Sequence, residues 1–251
     1  VAIALLSIVL CWLSLTEAQT ADQQGKDGPT EDQRKTKPRA ILHIGPDKTG
    51  TTSVQGMLAS AETRSVMKKL NTYWLPHSET RMFVWELAGL HAQRRNAHGN
   101  MLQLVTDREF ESYAQMGRFL NKSRSLGHNV LLSSEFFSWL PAQKIRRVQD
   151  LLQGFDVTVI SVYREYLSHM ISKIGEENKM LHSAGHHQPF AKHLMAMDST
   201  HRSRDYLTTL GEWSQVFGKD ALQIVDYYGA IEAGKSVPLV VLCEVAGVLC
   251  D

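Results

Sequence analysis

The sequence predicts an α/β fold in which a central, mainly parallel sheet is flanked by helices on both faces. Three observations carry that prediction. Short runs of strand length alternate with helical patterns from Pro38 onward. The runs are largely apolar, as strands covered on both faces must be. The first run passes through a glycine-containing turn directly into a helix start, which is how a βαβ unit opens.

The strand patterns fall at Ala40 to Ile44, His128 to Ser134, Asp156 to Tyr163 and Ala221 to Asp226. Helical patterns fall at Thr51 to Ala59, Asp107 to Ser123, Pro141 to Leu152, Glu165 to Ile174 and Arg202 to Phe217, with Pro141 at a first turn where its missing N–H costs nothing. In such a sheet ligands bind beyond the carboxyl ends of the strands. The 251 residues suffice for one such domain. A charged fraction of 21% and a formal net charge of +1 exclude a disordered chain and a surface built to coat nucleic acid, so any anion site has to be local.

Residues 1–15, Val1 to Leu15, carry no charge and are nearly all apolar, which reads as a signal peptide or a truncated membrane anchor. Thr16-Glu17-Ala18 offers a small-residue cleavage site, whereas a spanning helix needs roughly 17 to 25 apolar residues and hence more chain before Val1. Either reading sends the remainder to the secretory lumen, with membrane contact only through an uncleaved anchor. Residues 16–37 are polar without period and read as a flexible stalk or linker, and 38–251 as the folded domain. Cys243 and Cys250 are seven apart, about 10 Å if helical, so a bridge between them requires a turn.

After the first strand runs Gly45-Pro46-Asp47-Lys48-Thr49-Gly50-Thr51-Thr52-Ser53. The glycines are spaced as in the G-x-x-x-x-G-K-[ST] phosphate loop, but Thr51 stands where the lysine belongs and the lysine is at Lys48. Strand, turn and helix N-terminus together present N–H groups and a positive dipole end to an anion. The expected architecture is therefore a three-layer, P-loop-like fold. The run from Pro46 to Ser53 resembles the 5′-phosphosulfate loop of the sulfotransferase family, whose usual form is Pro-Lys-[Ser/Thr]-Gly-Thr-[Thr/Ser]. The resemblance implies that Lys48 contacts the phosphosulfate of 3′-phosphoadenosine 5′-phosphosulfate (PAPS) and that Thr49, Gly50, Thr51, Thr52 and Ser53 hold its 5′-phosphate. Asp47, inserted between proline and lysine, departs from that pattern and puts a carboxylate beside an anionic ligand.

The strand ending Val162-Tyr163-Arg164 is followed eight residues later by Ser172. This resembles the family's 3′-phosphate motif, and the resemblance assigns the 3′-phosphate to Arg164 and Ser172. A guanidinium clasps phosphate through two parallel hydrogen bonds, and a hydroxyl two turns along adds another. Glu135, after Val130 to Ser134, is the candidate general base. Its surroundings, Ser134-Glu135-Phe136-Phe137, are similar to the region where lumenal glycan sulfotransferases carry a catalytic glutamate. Lys48 and Glu135 are thus the expected catalytic pair. His128 is a minor candidate base, and His43 is expected in the core.

No metal is expected. The cluster His182, His186, His187 and His193 has no cysteine and no recognisable third ligand at helical spacing. Trp213, Phe217 and Gly218 match the family's Trp-x-x-x-Phe-Gly helix, whose role is structural. Asn121-Lys122-Ser123 is a glycosylation acceptor triplet that a lumenal domain can use. The resemblance implies sulfuryl transfer to a hydroxyl or amine of a glycan or glycoconjugate in the secretory pathway, within the Golgi lumen, with a protein tyrosine as second acceptor type. Two other classes compete: a nucleotide-dependent P-loop kinase or ATPase, using Asp226 to hold a metal, and a catalytically silent domain of the same fold.

Overall fold

The computed structural model describes residues 37–88, 102–183 and 206–248. The first strand, β1 (Arg39–His43), has apolar side chains on both of its faces and is stable only between two covering layers. It pairs in parallel with β3 (Asn129–Ser133) on one side and with β4 (Asp156–Tyr163) on the other, placing Ala40 opposite Val130 and Val157. A short strand β2 (Thr72–Trp74) adds beyond β3, and β5 (Leu222–Asp226) adds beyond β4. The order is β2-β3-β1-β4-β5, all parallel.

From β1 the chain enters α1 (Thr51–Ala59) and α2 (Ala61–Lys69). Ser60 separates these two helices, since its extended backbone breaks the first while its hydroxyl caps the second by accepting from the Thr63 N–H at 3.1 Å. After β2, α3 (His77–Ala88) and α4 (Leu102–Ser125) lead to β3. A 3₁₀ turn (Glu135–Trp139) and α5 (Ala142–Leu151) lead across to β4. Helices α6 (Tyr166–Ser183) and α7 (Tyr206–Phe217) precede β5. The chain then closes with α8 (Tyr227–Glu232), α9 (Val237–Leu239) and a π-helical turn (Val240–Val245).

Two apolar layers result. Ala40, Leu42, Val130 and Leu132 pack toward α3, α4, α5 and Trp213 of α7. Ile41, Leu131, Ile160 and Val162 pack toward Val54 and Leu58 of α1 and the C-terminal turns around Val241. Each fully buried aliphatic side chain contributes about 1.5–3 kcal/mol of transfer free energy, so the pair of layers fixes the strand order. The Trp213-to-Gly218 run has the expected structural role: Trp213 is buried, stacks on Phe217 at 5.5 Å, and Gly218 leaves the helix at φ 87°.

The four expected strands and the five expected helical segments are present among the described residues, except that residues 202–205 of the last helical segment lie outside them. Helix α6 runs on to Ser183 rather than stopping at Ile174, and α4 starts at Leu102 rather than Asp107. Strand β2 and helices α2, α3, α8 and α9 were not anticipated. Residues 1–36, with the leader and nearly all of the stalk, lie outside the described residues, as do His186, His187, His193 and Cys250. Among the described residues no helix is long and apolar enough to cross a membrane, and no group of three metal-ligating side chains occurs. Cys243 is disulfide-bonded, and the helical path beyond it ends at Gly247, φ 66°. Asn121 is exposed on α4 and its amide oxygen accepts from Arg124.

Candidate functional site

The strand order reverses at β1, so the crevice for a ligand lies at its carboxyl end, between the ends of β3 and β4. Lys48 follows β1, Glu135 follows β3 and Arg164 follows β4. Three residues far apart in sequence therefore meet at one end of the three central strands.

Gly45 is the hinge of this junction. Its φ is 85°, and a Cβ built there would lie 2.9 Å from the Glu135 Cα, so backbone conformation and space both require glycine. Its carbonyl accepts from the Val162 N–H at 3.0 Å and the Ser161 hydroxyl at 3.1 Å, tying the loop to β4. The Gly45–Pro46 peptide is cis. The Pro46 carbonyl accepts from the hydroxyls of Thr49 and Thr51, the latter at 3.1 Å. These two buried threonines brace the loop from within, whereas Thr52 and Ser53 stand exposed.

Helix α1 begins at Gly50, φ 91°, with no side-chain cap and no acidic residue in its first turn. The first intrahelical bond runs from the Val54 N–H to the Gly50 carbonyl at 3.0 Å. The N–H groups of Thr51, Thr52 and Ser53 therefore precede the ladder and add to the positive end of the helix dipole. A free helix start with exposed hydroxyls suits a phosphate-like group.

Lys48 adopts a left-handed conformation, φ 61°, which costs a non-glycine residue about 1–2 kcal/mol. Arg164 offsets that cost by donating from Nη1 to the Lys48 carbonyl at 2.7 Å. The same guanidinium donates from Nε to the Ser168 hydroxyl at 3.2 Å and lies over the ring of Tyr227 at 4.8 Å. Ser168 in turn hydrogen-bonds the Tyr228 hydroxyl, and the bonds from Ser168 and Arg164 hold that phenol below its ordinary value. Helix α6 is aimed by Glu165, whose two carboxylate oxygens accept from the Leu167 and Ser168 N–H groups at 2.9 and 2.8 Å. Those bonds hold the Glu165 carboxyl below its usual range. Ser172, half-buried, sits one turn beyond Ser168 on the same helix face. Ser168 was not among the sequence candidates, although its i+4 spacing from Arg164 was the available signal.

Asp47 has a structural partner set. His169 Nε2 donates to the Asp47 carbonyl at 2.7 Å and lies 3.6 Å from its carboxylate, while Lys173 Nζ reaches the other carboxylate oxygen at 3.6 Å. Burial raises the Asp47 carboxyl, but the His169 hydrogen bond and the Lys173 charge outweigh it and the net shift is downward. Glu176, one turn further, pairs with Lys48 Nζ at 3.3 Å. The stripe His169, Lys173, Glu176 on α6 thus binds the loop through both of its charged residues, and the inserted carboxylate is neutralised where it stands.

Glu135 opens the 3₁₀ turn, whose start Ser134 caps by accepting from the Phe136 N–H at 3.3 Å. Its Oε2 accepts from Gln55 Nε2 of α1 at 3.3 Å. His43 is in the core, as expected, with Nδ1 2.9 Å from the Ser133 hydroxyl and burial pushing its pKa down to about 4. His128 precedes β3 and stacks on Tyr73 at 4.4 Å, at the opposite end of the sheet, which removes it as a base. Asp226 accepts from the Tyr228 N–H at 3.1 Å as the cap of α8, on a strand separated from β1 by β4.

The fold and this junction define a P-loop-like α/β protein. No protein-family model and no curated protein matches the chain. Among solved structures it is similar to a sulfotransferase from Alicyclobacillus acidocaldarius, at 15% identity over 85% of this chain and 82% of that one, with a TM-score of 0.50. A gluconokinase from Sinorhizobium meliloti 1021 aligns at 14% identity over 84% of this chain and 92% of that one, with a TM-score of 0.36. The first likeness shows the fold.

Proposed function

We propose that the chain is a sulfotransferase that moves a sulfuryl group from PAPS to a hydroxyl or amine of a glycan or glycoconjugate. The observation that supports this reading is the 2.7 Å bond from Arg164 to the Lys48 carbonyl, which joins the tip of β4 to the loop after β1. Lys48 and the start of α1 hold the 5′-phosphosulfate, and Arg164 with Ser168 and Ser172 holds the 3′-phosphate. The acceptor oxygen or nitrogen attacks sulfur in line, forming the new bond as the bond from sulfur to the bridging oxygen breaks. The bridging oxygen leaves on the bisphosphorylated nucleotide, its charge met by Lys48, and the acceptor proton passes to Glu135. No step calls for a metal.

The uncharged, nearly all-apolar run of residues 1–15 supports a lumenal location, and hence a glycan acceptor ahead of a protein tyrosine. The reading is tested by calorimetric titration with 3′-phosphoadenosine 5′-phosphate and with Mg-ATP, followed by radiolabelled sulfate transfer to a glycan panel. Metal-independent binding of the bisphosphate with transfer supports it. Binding without transfer points to a silent domain, and magnesium-dependent binding of ATP alone points to a kinase.

A further inference from the structure

Gln55 is a buried amide whose position the phosphate loop does not explain. It lies one turn into α1 from Thr51, between the core residues Val54 and Leu58, with 8% of its surface exposed. Burying an amide there is unfavourable unless it finds a partner. That partner is Glu135, 80 positions away, whose Oε2 accepts from Gln55 Nε2. An ionised carboxylate only accepts hydrogen bonds, so the amide nitrogen is the end that must face it.

The backbone of Glu135 is fixed separately. Gly45 closes against its Cα, and its carbonyl accepts from the Ser138 hydroxyl at 2.6 Å. With the backbone set by those contacts, the amide is the group that selects the carboxylate orientation.

We propose that Gln55 is a positioning residue for the general base, a role that rests on the assignment of Glu135 as that base. By occupying Oε2, it leaves Oε1 to take the acceptor proton. Because Gln55 and the N–H groups of Thr51, Thr52 and Ser53 belong to one short helix, the element that seats the donor also aims the base.

The test uses the full chain with Gln55→Leu, Gln55→Glu and Glu135→Gln, measuring kcat, donor and acceptor KM, the pH profile of kcat/KM and the melting temperature. Glu135→Gln is expected to cut kcat by about 10²-fold or more. Gln55→Leu is expected to cut kcat by about tenfold with donor KM little changed. Gln55→Glu is expected to move the acid limb of the profile to higher pH, because the introduced carboxylate and its neighbour share a proton. Unchanged kcat in Gln55→Leu, an acid limb unmoved in Gln55→Glu, or a loss of rate that only follows a lower melting temperature, overturns the proposal while leaving Glu135 as base. Full turnover in Glu135→Gln overturns the base assignment and the role of Gln55 with it.

Discussion

The side chain of Arg164 donates to the backbone carbonyl of Lys48 across 116 positions of sequence, at 2.7 Å. This bond joins the tip of β4 to the loop after β1 and holds Lys48 in its left-handed conformation. Arg164→Lys keeps the charge but loses the planar fork and its stacking on Tyr227. The variant is expected to lose about 1–3 kcal/mol of stability, read by denaturant unfolding.

Asp47 ties the loop to α6, and Asp47→Asn is expected to loosen it and lower stability by about 1–2 kcal/mol at neutral pH, leaving Lys173 without its partner. Since the folded carboxyl lies below its ordinary 3.8, this contribution is fully present above that pH and is lost as pH falls through the depressed folded value. Stability curves of wild type and Asp47→Asn should therefore converge in strong acid. Curves that stay parallel there contradict the ion-pair account.

Glu176 pairs with Lys48 at 3.3 Å in a partly exposed setting, and on the proposed function it competes there with the anionic ligand. Glu176→Gln removes the competitor and should tighten bisphosphate binding by up to about fivefold, the range of an exposed pair. The effect should shrink as salt is raised, which titrations at two ionic strengths will show.

His43 is neutral in the fold, its pKa pushed by burial from 6.5 to about 4. In the unfolded chain it protonates first, so stability falls as pH drops from about 6.5 toward 4 and levels off below, a total of roughly 3 kcal/mol. His43→Gln should flatten that part of the stability profile, as chemical denaturation across the window will show.

Much of this arrangement was legible in the sequence because it rests on local chemistry. The turn from Gly45 to Ser53 and the strand ending at Arg164 are each defined by neighbours in the chain, and a parallel sheet brings such ends together. What the sequence hid was contact between elements. Asp47 reads as a carboxylate misplaced beside an anion until α6 supplies His169 and Lys173. Thr49 and Thr51 read as ligand donors, yet their hydroxyls turn back to Pro46. Gln55 carries no motif and is recognised only by what it touches, Glu135, while Ser168 had only its i+4 spacing from Arg164 to mark it. Strand β2, three residues long, is too short to show a period of its own.

Gly45 tests whether the junction is as tight as described. Gly45→Ala adds a methyl group that would sit 2.9 Å from the Glu135 Cα, at a φ that costs alanine about 1–2 kcal/mol before any clash. Stability should fall by more than that amount and transfer should fall with it, measured by unfolding and by single-turnover assay. An alanine variant with unchanged turnover contradicts the close approach of loop and base.

The central claim is that Lys48 and Arg164 hold two ends of one nucleotide, and calorimetry on matched ligands tests it most directly. Wild type, Lys48→Ala and Arg164→Ala are titrated with 3′-phosphoadenosine 5′-phosphate and with adenosine 5′-phosphate. Lys48→Ala should weaken both ligands, whereas Arg164→Ala should weaken the bisphosphate by about tenfold or more and nearly abolish the preference for it. Equal losses for both ligands in Arg164→Ala, or a wild type that does not prefer the bisphosphate, would contradict the account.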